Sequence, residues 1–115
     1  MTEPKVELLW WKGCPSWPRA LEDLRREMSA AGLDPEAVAV REVRADAEAA
    51  GEGFVGSPTI RVDGADVQPP GPGEPVSLTC RVYRLRDGRV SPTPDPADVR
   101  TALRAAIQSR SAETE

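Results

Sequence analysis

Residues 5–11, KVELLWW, put Val6, Leu8 and Trp10 on one side of an extended chain and Leu9 and Trp11 on the other. Apolar side chains facing both ways predict a central strand covered on both faces. The period then lengthens: Trp17, Leu21, Leu24 and Met28 recur at helical spacing. This predicts a helix that begins at or just after Cys14 and stops at Gly32. Pro15 suits its first turn, where a missing N–H costs nothing, and Pro18 is early enough to be tolerated. "DPEAVAVREVR" reads as a turn and then a strand carrying Val38, Val40 and Val43. "ADAEAAG" reads as a short helix closing at Gly51.

The second half of the chain is punctuated by turn chemistry. "FVGSPTIRVDGADVQPP" has an arm at Thr59 to Val62, a type I′ turn at Asp63-Gly64 and a return at Ala65 to Gln68. After the Pro/Gly-rich loop "PPGPGEPVS", "TCRVYRLRDGRV" reads as another hairpin turning at Asp87-Gly88. "PDPADVRTALRAAI" is a helix capped by Asp95, with Pro96 at its first position and a stripe of Val99, Leu103, Ala106 and Ile107. "QSRSAETE" reads as a solvated tail. The order β-α-β-α-β-β, loop and hairpin, α predicts an α/β domain: a mixed central sheet flanked by helices on both faces. The expected division is a single domain over residues 1–108 and a disordered tail over 109–115.

Composition narrows the function classes. With 15 basic and 19 acidic residues the net charge is -4, and no basic stripe stands out. Nucleic acid is therefore not an expected partner. No run of 18 apolar residues occurs, so no membrane partner is expected either. The start, MTEPKVELL, lacks the basic opening and long apolar segment of a signal peptide, which makes the cytoplasm the expected address. Two cysteines, Cys14 and Cys80, are too few for a disulfide framework. The chain contains no histidine, which removes Ser-His and Cys-His catalysis and the commonest zinc ligand.

The chemistry that remains is thiol chemistry. Cys14 lies where a strand gives way to a helix, and unpaired N–H groups at a helix start favour a thiolate over a thiol. Such positions lower a cysteine pKa from about 8.5 into a range of roughly 3.5 to 7.5. The competing reading is a small buried hydrophobe. Ser57-Pro58 opens a strand after a tight turn, a place for a cis bond or for an ordinary trans proline at a strand edge. Trp17 either lines an apolar groove beside the thiol or simply packs, and Trp10 is expected in the core. Asp63 and Asp66 read as turn and surface residues.

Together, "WWKGCPSWP" ahead of a helix and "GSPTIRVDG" further on resemble the thioredoxin superfamily. The likeness covers residues 5 to 68 and the last helix, and extends to small bacterial thioredoxin-like proteins sometimes labelled alkylmercury lyases. It implies a thioredoxin-like fold with Cys14 as nucleophile and Pro58 as a cis-proline. It also implies that the Ser57 backbone pairs with an extended substrate segment, as in strand addition. The family's second cysteine falls at position 17, where this chain has Trp17. The resolving thiol is then either an external one or Cys80. In such a fold the return arm 65–68 runs back toward Cys14, and the loop after it can deliver Cys80 there. Alternatively, Cys80 is a buried thiol packed with Val82 and Leu85.

Three functions follow. The first is a thiol–disulfide oxidoreductase needing no metal or organic cofactor, with protein or small-molecule thiols and disulfides as partners. The second is a soft-metal or organomercurial protein using both thiolates, with Asp66 as the acid for a leaving carbon. The third is a non-catalytic module that binds a partner through the Ser57-Pro58 edge.

Overall fold

The computed structural model describes the backbone of residues 3–113 and the side chains of residues 3–110. Strand β1 (Val6–Trp10) is followed by helix α1 (Trp17–Ala30), a 3-10 turn at Pro35–Ala37, strand β2 (Ala39–Glu42) and helix α2 (Asp46–Glu52). Strands β3 (Thr59–Val62) and β4 (Ala65–Asp66) come next, then β5 (Tyr83–Arg84), β6 (Val90–Ser91) and helix α3 (Pro96–Glu113). The mixed sheet has the order β2-β1-β3-β4, and β5 and β6 form a separate two-stranded sheet. β1 runs parallel to β2 and antiparallel to β3, with Leu9 opposite Thr59. The C-terminal end of β1 and the N-terminal end of β3 therefore lie together.

The two-faced pattern of β1 divides the core. Val6 and Leu8 pack with Ala20, Leu24 and Met28 of α1 and with Val99 and Leu103 of α3. Leu9 packs on the opposite face with Val43, Ala49 of α2 and Phe54. Each of the Val, Leu, Met and Phe side chains among these, fully buried, contributes about 1.5–3 kcal/mol through apolar burial.

Several boundaries differ from the pattern-based expectation. α1 begins at Trp17, with Ser16 as N-cap and Pro18 in the first turn, so Pro15 precedes the helix. The helix closes as expected: the Gly32 N–H reaches the Ser29 carbonyl and the Leu33 N–H reaches the Met28 carbonyl, a Schellman ending whose apolar partners, Leu33 and Met28, share the core. α2 passes through Gly51, ends at Glu52 and is closed by Gly53 in the left-handed conformation. The chain reverses at Asp63-Gly64 with both residues at positive φ, as a type I′ turn requires. Asp95 caps α3, its Oδ1 accepting the Ala97 N–H at 2.9 Å.

The tail assignment is corrected. α3 continues to Glu113, and Arg110 forms an ion pair with Asp63 at 2.6 Å. Residues 109–113 are thus helical rather than disordered, and Arg110 ties the helix to the hairpin turn. The final two residues of the expected tail lie outside the described ones. Among the described residues, no helix is long and apolar enough to cross a membrane.

Candidate functional site

Cys14 sits in the short connection between β1 and α1, its N–H donating to the Trp11 carbonyl at 3.1 Å. It is only 2 % exposed. It stands ahead of the helix rather than in its first turn, so the amide it meets is that of Ser16, the first N–H after Pro15. Burial alone pushes the Cys14 thiol up. Hydrogen bonds from the Cys80 thiol, the Ser16 hydroxyl and the Ser16 N–H outweigh burial and leave it below its ordinary value. The Ser16 Oγ lies 3.3 Å from the sulfur.

Cys80 meets this thiol from a different part of the chain. It is exposed, and neither cysteine is in a disulfide. Its hydrogen bond to Cys14, then burial, then the charge on Cys14 push its pKa up to about 11. The two unbonded thiols thus shift one another in opposite directions, the inner one down and the outer one up.

A parallel bridge between Ser57 and Cys80 fixes this meeting. The Ser57 N–H donates to the Thr79 carbonyl at 2.8 Å, and the Ser57 carbonyl accepts the Arg81 N–H at 2.9 Å. Ser57 Oγ accepts the Trp11 N–H at 3.0 Å, tying the β1 end to the same point. Gly56 admits the segment: at φ 145 it lies so close that an added Cβ would come within 2.9 Å of the Arg81 Cβ.

Arg81 is the clamp. Its guanidinium donates to Asp66 Oδ2 at 2.7 Å and to Thr59 Oγ1 at 3.2 Å. It also donates to the Gln68 carbonyl and lies 4.5 Å from the centre of the Tyr83 ring. The Tyr83 hydroxyl donates to the Pro58 carbonyl. Burial first, with the Asp66 charge adding to it, drives the Tyr83 pKa far above the ordinary tyrosine range. The residues flanking Cys80 are thereby fastened to β3 and β4.

These facts revise several expectations. The Ser57-Pro58 bond is cis. Ser57 is fully buried and its backbone groups are taken by residues 79–81, so it has none free for an extended substrate while that segment is docked. Pro58 is likewise buried. Trp17 stacks on Trp10, with ring centres 4.3 Å apart and planes at 22°, and both pack against the core. Trp17 is a packing residue that helps hold α1 against β1. Cys80 does not pack with Val82, which is 71 % exposed; Arg81 and Tyr83 are the inward residues of that segment. Asp66 is a half-buried partner of Arg81 rather than a free surface acid.

Sequence reasoning missed Ser16, Arg81 and Tyr83. Alternation offered the signal for the last two, since in "CRVYR" one face carries Arg81 and Tyr83 and the other Cys80, Val82 and Arg84. Charge hid it, because an arginine reads as an outward residue unless its carboxylate partner is known. Two facing thiols are a donor pair for a soft ion, but no cluster of three or more His, Cys, Asp or Glu suited to a metal occurs among the described residues. The groove of about 480 Å³ between β4 and α3 is lined by neither cysteine. In comparisons with known proteins, no family model, curated protein or solved structure matches this chain.

Proposed function

We propose that this protein is a thioredoxin-like thiol–disulfide oxidoreductase whose exchanging pair is Cys14 and Cys80. The observation that carries the reading is the close approach of these two unbonded thiols, which come from opposite halves of the chain and are brought together by the Ser57 to Cys80 bridge. The sheet order, the antiparallel β1–β3 pair and the cysteine after β1 support the resemblance. Cys80 stands in for the second cysteine that Trp17 replaces. In the oxidised state the two sulfurs are bonded. Two thiols of a partner reduce that bond, giving up two electrons and two protons and leaving as a disulfide, while Cys14 and Cys80 take up those electrons and protons and become two thiols.

The soft-metal alternative draws on the same pair, since two facing thiolates suit a linear ion such as Hg(II). Its lyase form is weakened by Asp66, whose carboxylate is engaged by Arg81 at 2.7 Å. The partner-binding module is weakened because the chain itself fills the Ser57 edge.

Mild oxidation followed by peptide mapping tests the reading. The expected product is an intramolecular Cys14–Cys80 bond that is reduced rapidly by added thiol. Tight one-to-one Hg(II) binding by a protein that turns over no disulfide would favour the metal reading. Failure to form the bond at all would remove the oxidoreductase.

A further inference from the structure

We infer that the sulfur which exchanges with outside thiols and disulfides is Cys80, and that Cys14 is the inner sulfur, reached only through it. This deepens the oxidoreductase reading and rests on it, but it reverses the roles implied by the family resemblance, in which the cysteine after the first strand meets the substrate.

Two independent observations point the same way. Cys14 is 2 % exposed whereas Cys80 is exposed. The backbone edge that a peptide would need in order to approach Cys14 by strand addition is filled by Thr79 and Arg81. An incoming group therefore meets the outward face of segment 79–83, which carries Cys80 and the exposed Val82.

The chemistry agrees with the geometry. An external thiolate attacks the Cys80 sulfur of the Cys14–Cys80 disulfide from the solvent side. A bond forms between Cys80 and the incoming sulfur, the Cys14–Cys80 bond breaks, and its electron pair leaves on Cys14. That leaving group is the better one, because a thiolate accepting hydrogen bonds from the Ser16 hydroxyl and N–H departs faster. A second thiolate then attacks the partner sulfur of the mixed disulfide. The partner is released as a disulfide, and the Cys80 thiolate takes up a proton. Two partner thiols are oxidised and one protein disulfide is reduced. In the reverse direction Cys14 is a nucleophile toward Cys80 alone, displacing the partner from a Cys80 mixed disulfide.

Single variants Cys14→Ser and Cys80→Ser, treated in the folded state with oxidised glutathione and mapped by mass spectrometry, test the assignment. Cys14→Ser should accumulate glutathione on Cys80. Cys80→Ser should acquire it on Cys14 more slowly, by on the order of tenfold or more, as burial of the thiol dictates. Circular dichroism confirms that each variant is folded. The unmutated oxidised protein, given reduced glutathione briefly and quenched with acid, supplies the same answer without substitution: the trapped mixed disulfide should lie on Cys80. Faster labelling of Cys14, or labelling of neither residue, overturns the inference. If the Cys14–Cys80 bond forms but glutathione maps to Cys14, only the inference fails; if the bond never forms, the parent reading fails with it.

Discussion

At Cys14 two effects of opposite sign act on one sulfur, and hydrogen bonding wins over burial. The consequence is a sequence of titrations rather than a single one. Cys14 ionises below its ordinary value of 9.0, and Cys80 holds its proton to about 11. Thiolate ultraviolet absorbance should rise in two separated steps. In Cys80→Ala the Cys14 step should move up, because a donor to the thiolate is lost. In Cys14→Ser the Cys80 step should move down from about 11 toward 9.0. Stability follows from the same shifts. The lowered Cys14 value adds stability as pH rises toward 9.0, where the unfolded thiol ionises. The raised Cys80 value removes stability as pH rises from 9.0 to about 11. The excess stability of the reduced protein over the Cys14→Ser, Cys80→Ser double variant, from urea denaturation, should therefore peak near pH 9. A monotonic profile would mean the two thiols do not share a proton.

The segment 79–84 is too short and too poor in apolar residues to hold itself against the sheet. Its attachment comes from the Ser57 bridge and from Arg81, whose side chain is 5 % exposed beside an Asp66 carboxylate at 11 %. Removing one partner of a buried pair leaves an uncompensated charge, which costs about 3–5 kcal/mol. Arg81→Met should lose stability of that order, and Arg81→Met with Asp66→Asn should recover part of it. Both should slow formation of the Cys14–Cys80 bond, because the clamp that presents Cys80 is gone. Unchanged oxidation in a destabilised Arg81→Met protein would leave Arg81 a purely structural role. The limits of the sequence are visible in this element. Strand β1, helices α1 and α3 and the Asp63-Gly64 turn were legible because each is a local pattern of period, cap or turn residue. The direction of residues 79–84 was not, because it depends on a carboxylate fifteen positions upstream on another strand. The helical start was misplaced for a related reason: Pro15 and Pro18 both suit a first turn, and only the capping position of Ser16 decides between them.

For the whole molecule, the cysteine pair is a long-range link between the two halves of the chain. Cys14 lies in the connection between β1 and α1, while Cys80 lies beyond the β3–β4 hairpin and the Pro-rich loop. In the proposed function Cys80 stands in for a cysteine at position 17, and the pair is assembled by topology, through the antiparallel β1–β3 pair and the docked segment. Such a link changes the unfolded state far more than a local pair would. Closing a loop of roughly 65 residues constrains the denatured ensemble by about 4 kcal/mol in the chain-entropy model. The hydrogen bond between the reduced Cys14 sulfur and the Ser16 hydroxyl acts against this, since it stabilises the folded dithiol that oxidation consumes. The oxidised protein should therefore withstand more urea than the reduced one at neutral pH, by less than that full amount. It should also show a smaller denaturant slope, because its unfolded chain exposes less surface. Parallel urea titrations of the two forms measure both quantities. An oxidised form less stable than the reduced one would mean that the docked geometry holds the sulfurs together as thiols and resists their bonding.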